Sequence, residues 1–203
     1  FIQAVAPDHQ VTLIGHDWGG AVAWPLAAFY PDSVSRLIIL NAAHPSTFSR
    51  ELNENPEQRY CSRYISKLRQ PEAAQQLRDN EFTLLKSMLT SVAANHTYHQ
   101  RLATSWQMPG RMHAMLGYYR SMKWFDDSDQ APVGKLPVPS LTIMQPALVL
   151  WGMKDSAFVP EVLNGLSNWV GDLTLKKHSG ATHWIHREAP EWVGNEIKTW
   201  LYK

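Results

Sequence analysis

The stretch VTLIGHDWGGAVAW, residues 11 to 24, restricts the folds open to this chain more than any other. An apolar, β-branched run, VTLIG, enters a glycine-flanked turn and passes directly into WGGAVAWPLAAFY, which reads as a helix. A strand that leads into a helix with no hairpin turn belongs to a parallel sheet, and the second buried run, VSRLIIL, completes a right-handed βαβ unit. FIQAV looks like the end of a helix stopped by Pro7, and Pro25 is expected to kink its helix or to mark an adjusted first turn.

The turn itself, Gly15-His16-Asp17-Trp18-Gly19, fits the elbow pattern glycine, any residue, nucleophile, any residue, glycine. Such a turn is tight enough that side chains beside the nucleophile would clash, so glycine is needed there. It pushes Asp17 out of the C-terminal end of its strand, where open α/β sheets bind their ligands. An ordinary aspartate capping the next helix would leave the same trace. Asp155, in WGMKDSAF, follows the buried run ALVLWG, and a turn or cap aspartate is the alternative there. His183, in SGATHWIHREAP, follows the last strand, DLTLKKH, with His178 and His186 as nearby competitors. Nucleophile, acid and histidine in this chain order, each just beyond a strand, is the hydrolase order.

Between these parts the texture changes. From residue 46 to 135 no strand-like run occurs, and helical spacing is broken by Pro71 and by MPG at 108 to 110. The Pro-rich segment 126 to 146 reads as a return linker, PEVLNGLSNWV as a helix, and APEWVGNEIKTWLYK as a closing amphipathic helix. The 203 residues, 44% hydrophobic and 18% charged, suffice for one α/β domain or one with an inserted subdomain. A net charge of +1 gives no electrostatic case for nucleic acid or an anionic membrane. No apolar run approaches the roughly 18 residues of a membrane span. Cys61 is the only cysteine, so no internal disulfide forms; that suits a reducing cytosol, and cytoplasmic location is the default expectation. Nine tryptophans serve either core and lid packing or an aromatic-lined pocket for an apolar ligand.

On GHDWGG, LNAAHP, YISKLRQP, GYYR, LVLWGMKD and THWIHREAPEWV, which run through most of the chain, the sequence resembles the α/β-hydrolase superfamily and, within it, the epoxide hydrolases. The resemblance implies an α/β fold with a mainly parallel sheet and a helical cap inserted after the second strand. Residues 1–45 would then be hydrolase core with the elbow, 46–135 the cap, and 136–203 core with the acid and the histidine. It implies Asp17 as nucleophile and Asp155 with His183 as the pair that activates water. Trp18 and His16 would serve the oxyanion and the substrate, and Tyr64 and Tyr119 would be the cap tyrosines that polarise the epoxide oxygen. Tyr60 and Tyr118 are the neighbours that could be confused with them, and Arg120 would anchor the cap. The implied reaction takes a small apolar epoxide to a vicinal diol without metal or organic cofactor. GHDWGG alone is shared with haloalkane dehalogenases, which would use Asp17, Asp155 and His183 but need N–H donors for the halide rather than phenols. A catalytically dead binding module of the same fold is the non-enzymatic alternative.

Members of the family resemble one another in carrying further strands and a His-Gly-x-Pro loop before the elbow, and nothing in FIQAVAPDHQ matches these. The expectation is a C-terminal portion of a longer protein, with the N-terminal part of the sheet absent and any signal peptide out of view. VTLIG would then be an apolar edge open to homo-oligomerisation or other association. With one oxyanion donor missing, a rate loss on the order of 10²–10³ is expected.

Overall fold

The computed structural model describes residues 1–89, 96–122, 125 and 135–202. The chain divides into two compact units, Phe1–Gln58 with Pro137–Lys203, and Arg59–Leu136. The elements in order are α1 (Ile2–Val5), β1 (Val11–His16), α2 (Trp18–Phe29), β2 (Val34–Leu40), α3 (Pro45–Glu54), α4 (Pro56–Ser62), α5 (Tyr64–Arg69), α6 (Ala73–Ser87), α7 (His96–Gln107), α8 (Arg111–Ser121), β3 (Ala147–Gly152), β4 (Leu173–His178), α9 (Ile185–Glu188) and α10 (Pro190–Leu201).

The first unit is built on a four-stranded sheet in the order β1-β2-β3-β4, parallel throughout. All six residues of β3 are buried, as are Leu37 to Leu40 of β2, which is why these inner strands read as unbroken apolar runs rather than alternating ones. β1 lies at one end of the strand order, and Ile14 on it is 53% exposed. The registers His16↔Leu40, Leu40↔Leu150 and Gly152↔His178 bring the four C-terminal strand ends to one side of the sheet. Whatever follows each strand therefore meets there. α2 buries Ala23, Trp24 and Ala27, and the Trp24 indole N–H donates to the Ala42 carbonyl at 3.1 Å, so its polar atom is satisfied in the core. α10 lays Val193, Trp192, Ile197, Trp200 and Leu201 against Ile38, Leu40, Leu148 and Leu150, as its amphipathic sequence requires.

Several expectations are corrected in detail. PEVLNGLSNWV is not an α-helix but two short 3-10 turns, Pro160–Leu163 and Leu166–Asn168, parted at Gly165 by a left-handed φ of 68°. Pro25 is the eighth residue of α2 and not part of its first turn, and it forgoes one backbone hydrogen bond inside the helix. α3, drawn from the sequence as part of the helical insertion, lies in the first unit, and the helical unit begins at Arg59. Of the expected return linker 126–146, residues 126–134 lie outside the described residues.

The second unit is helical in all its described elements. Its buried set includes Ile65, Leu77, Phe82, Trp106, Met112 and Leu116, with the Phe82 and Trp106 rings 5.6 Å apart. α6 is interrupted at Asp79–Phe82, where the backbone leaves helical angles.

Candidate active site

Asp17 sits at the joint of β1 and α2 with φ 51° and ψ −124°, a conformation that costs an aspartate roughly 1–3 kcal/mol. The turn leaves no room beside it: a Cβ on Gly15 would lie 2.7 Å from the Gly19 carbonyl oxygen and from the Gly20 Cα. Asp17 occupies the N-cap position of α2, yet its side chain makes no cap hydrogen bond. Its Oδ1 stands instead 3.2 Å from Nε2 of His183. The strain serves the direction of the carboxylate, not the start of the helix.

His183 lies on the loop between β4 and α9, with its side chain only 13% exposed. Its Nδ1 is 2.9 Å from Oδ2 of Asp155, so the imidazole is held between two carboxylates. Burial alone would lower its pKa, but the hydrogen bonds to Asp155 and Asp17, together with the charges of both, push it up to about 9. Burial would raise Asp17, but the hydrogen bond and charge of His183 prevail, helped by the Trp18 backbone N–H and by His16, and hold it below the ordinary carboxylate value. The resting pair is a carboxylate beside an imidazolium.

Asp155 is fixed on both oxygens. Oδ1 accepts from the backbone N–H groups of Ala157 at 2.7 Å and Phe158 at 3.3 Å, and Oδ2 accepts from Nδ2 of Asn41 at 2.7 Å as well as facing His183. Asn41 follows β2, is fully buried and takes φ 38°. Besides Asp155 it grips β3, accepting from Gly152 N–H at 2.8 Å and donating to the Gly152 carbonyl at 3.2 Å. The motif LNAAHP contains it, but its part in the site is missing from the sequence reading. The available signal was an amide side chain placed directly after a fully apolar strand, where a buried polar group must find partners.

Of the two competing histidines, His178 accepts with Nδ1 from the Gly180 and Ala181 N–H groups, 3.3 and 3.0 Å away, and so shapes the turn after β4. His186 packs its ring 4.3 Å from that of His16. His16 sends Nε2 to the carbonyl oxygen of His183 at 2.8 Å; a carbonyl only accepts, so Nε2 carries the proton. Burial and the neighbouring charge of His183 lower the pKa of His16 to about 4. Trp18 opens α2 directly after Asp17.

Within the helical unit, Tyr64 begins α5 and Tyr119 lies near the end of α8. Their rings meet edge to face, with centroids 6.0 Å apart. Arg69, at the end of α5, donates through Nη1 to the Met122 carbonyl just past α8, tying the two helices together. The neighbours go elsewhere: Tyr60 is 60% exposed and stacks under Arg63, and Tyr118 is 48% exposed. Nη1 of Arg120 is 3.0 Å from Nδ1 of His113 on its own helix.

Residues 1–190 match the α/β hydrolase fold family. This chain belongs to the α/β-hydrolases. It is 31% identical to the AB hydrolase superfamily protein YfhM of Bacillus subtilis over 199 residues, covering 96% of this chain and 66% of that protein. It is 33% identical to epoxide hydrolase 2 of Caenorhabditis elegans over 198 residues, covering 91% of this chain and 52% of that one. The chain thus spans between about half and two thirds of these relatives' lengths. In structure it is similar to a Bacillus megaterium epoxide hydrolase solved with an inhibitor, with a TM-score of 0.83 at 28% identity, covering 100% of this chain and 74% of that one. The chain is therefore an epoxide hydrolase-like α/β-hydrolase. Among the described residues of this α/β-hydrolase no group of three or more His, Cys, Asp and Glu side chains is arranged to hold a metal ion, and no helix is long and apolar enough to cross a membrane.

Proposed function

We propose that this α/β-hydrolase converts an apolar epoxide to a vicinal diol through an ester on Asp17. The observation that carries the reading is the His183 imidazole held between Asp155 at 2.9 Å and Asp17 at 3.2 Å, with a carboxylate at the elbow. A serine there would need a base before it could attack, whereas Asp17 is already an anion. Its oxygen attacks an epoxide carbon as the C–O bond breaks. The family resemblance assigns the leaving oxygen to Tyr64 and Tyr119, one of which gives it a proton and is left as phenolate.

Ester formation removes the negative charge of Asp17. Two of the influences that raise the pKa of His183 disappear with it, so the imidazole gives up its proton and becomes a base at the moment one is needed. His183 then takes a proton from water, and the hydroxide adds to the carbonyl carbon of the ester. The Trp18 backbone N–H donates to the resulting oxyanion. Collapse expels the diol oxygen, which takes the proton from His183. The proton that His183 gave up before hydrolysis has restored the phenol through solvent, the proton left on Asp17 passes to His183 and re-forms the resting pair, and the sum is epoxide plus water to diol. Asp155, locked by Asn41 and two backbone N–H groups, orients the ring and stabilises its charged form.

The test offers the full-length protein a styrene-type epoxide and a 1-haloalkane. Diol without halide is expected, with an ester-sized mass increase on the peptide carrying Asp17. Tyr64→Phe and Tyr119→Phe should each slow diol formation. Halide without diol would make the protein a dehalogenase and reduce the tyrosines to packing, and turnover of both substrates undiminished in Asp17→Asn would refute the covalent route.

A further inference from the structure

We propose that Glu188 is a positioning residue for water activation: its carboxylate clamps Thr182, and through Thr182 it fixes the backbone that carries His183. The inference rests on the epoxide hydrolase reading and adds to it a residue that no part of that reading uses.

The loop from β4 to α9 must hold one imidazole to within a fraction of an ångström of two carboxylates, although it has no strand or helix of its own. Its anchors are individually visible. The Lys154 N–H donates to the Ala181 carbonyl at 2.9 Å and the Met153 N–H to the His178 carbonyl at 3.0 Å, fastening the start of the loop to the chain beyond β3. Gly152 lies directly against the loop: a Cβ there would be 2.2 Å from the Thr182 carbonyl oxygen. That contact stops the loop from sinking but does not stop it from lifting. The restraint on lifting at Thr182 itself is Glu188, in the one turn of α9. Its Oε2 accepts from the Thr182 N–H at 2.6 Å and its Oε1 from the Thr182 hydroxyl at 2.7 Å. The Thr182 oxygen in turn accepts from the Trp184 N–H at 3.4 Å. On the far side of His183, its own carbonyl is held by His16. The histidine is thus flanked by one residue fixed on two atoms and by a carbonyl fixed on one.

The residue type is dictated by the donors. Thr182 presents two, an N–H and an O–H, and a carboxylate is the side chain that offers two acceptors side by side with the added strength of charge. Glutamine offers one acceptor oxygen; it keeps the bond to the N–H, and its amide can donate to the hydroxyl oxygen once the hydroxyl proton turns away. Alanine leaves both Thr182 groups to water and frees the loop to lift. Displacement on the scale of an ångström at a reacting group costs on the order of 10²-fold in rate.

The two chemical steps separate this role from mere support of the fold. Formation of the Asp17 ester makes no use of His183 as a base, whereas hydrolysis of the ester depends on it. In rapid-quench experiments on the full-length protein with styrene oxide, Glu188→Ala should form the ester at the wild-type rate and with an amplitude no smaller than that of the wild type. It should then hydrolyse it about 10- to 100-fold more slowly, so that the adduct accumulates in intact-mass spectra. Glu188→Gln should hydrolyse it close to the wild-type rate. An ester decaying at the wild-type rate in Glu188→Ala would overturn the proposal. So would an equal fall in both steps with a smaller burst, which is the mark of a destabilised fold. Wild-type protein that gives neither ester nor diol would refute the epoxide reading, and the proposal with it.

Discussion

Replacing Asp17 by asparagine should lower the pKa of His183. The imidazole titrates at about 9 rather than 6.5, a difference of about 3 kcal/mol in favour of the charged form, and with only 13% of the side chain exposed the solvent screens little of it. Burial works against that preference, so the two carboxylates must supply more than the net amount. Asparagine removes the charge at 3.2 Å and leaves Asp155 alone to oppose burial. The expected fall is at least about one pH unit, toward the ordinary value. The assay is an NMR titration of ring-labelled histidines, with His183→Gln identifying the resonance and intact mass checking that the introduced asparagine has not deamidated. A His183 that still titrates near 9 in Asp17→Asn would refute the reasoning. The charge of Asp17 would then not be what keeps the proton on the ring, and ester formation could not release it.

Other consequences follow from the same geometry. Asn41→Ala strands the Gly152 N–H, deprives Asp155 of a donor and places alanine at φ 38°, so a loss of about 2–5 kcal/mol is expected in urea unfolding; an unchanged midpoint would show that the three bonds carry no stability. Gly152→Ala drives a methyl group into the Thr182 carbonyl and should lower turnover on the order of 10²-fold while far-UV circular dichroism stays native; wild-type turnover would mean the loop yields freely. His16 and His44 both titrate at about 4, mainly because burial disfavours their charged forms, so the stability they contribute is full above 6.5 and is lost as pH falls toward 4. His183 has the opposite sign: its contribution is full below 6.5 and is lost as pH rises through about 9. Thermal melting should therefore peak between these limits, and Asp17→Asn should weaken the alkaline fall while leaving the acid one; an acid limb unmoved by His44→Gln would remove that histidine from the account.

What the sequence made legible and what it hid divide along a physical line. Strands β2 and β3 were readable because the inner strands of a parallel sheet demand apolar runs, and the elbow was readable because its tight turn demands glycine at Gly15, whereas a Cβ on Gly19 would meet nothing and the second crowded glycine is Gly20, against Ala42. Asp17, Asp155 and His183 could be picked out because each follows a strand legible in the sequence, and the parallel register then brings them to one side of the sheet. The turns at 160–168 were misjudged because apolar spacing cannot tell an α-helix from 3-10 turns when an Asn-Gly pair interrupts it.

Asn41 and Glu188 remained hidden for a different reason. Each acts through bonds to backbone atoms, of Gly152 and Thr182 respectively, and a backbone atom leaves no mark on the sequence. The same holds for His16, whose place in the motif suggested the substrate side while its ring turns to a carbonyl behind His183. The chemistry of a site is written in the side chains that react, whereas its precision is set by polar groups that grip main chain. That is why a carboxylate five residues after the histidine looks, in sequence, like any other charge on a short helix, and why, on the proposed mechanism, its contribution has to be sought in the ester-hydrolysis step, the step that uses His183 as a base.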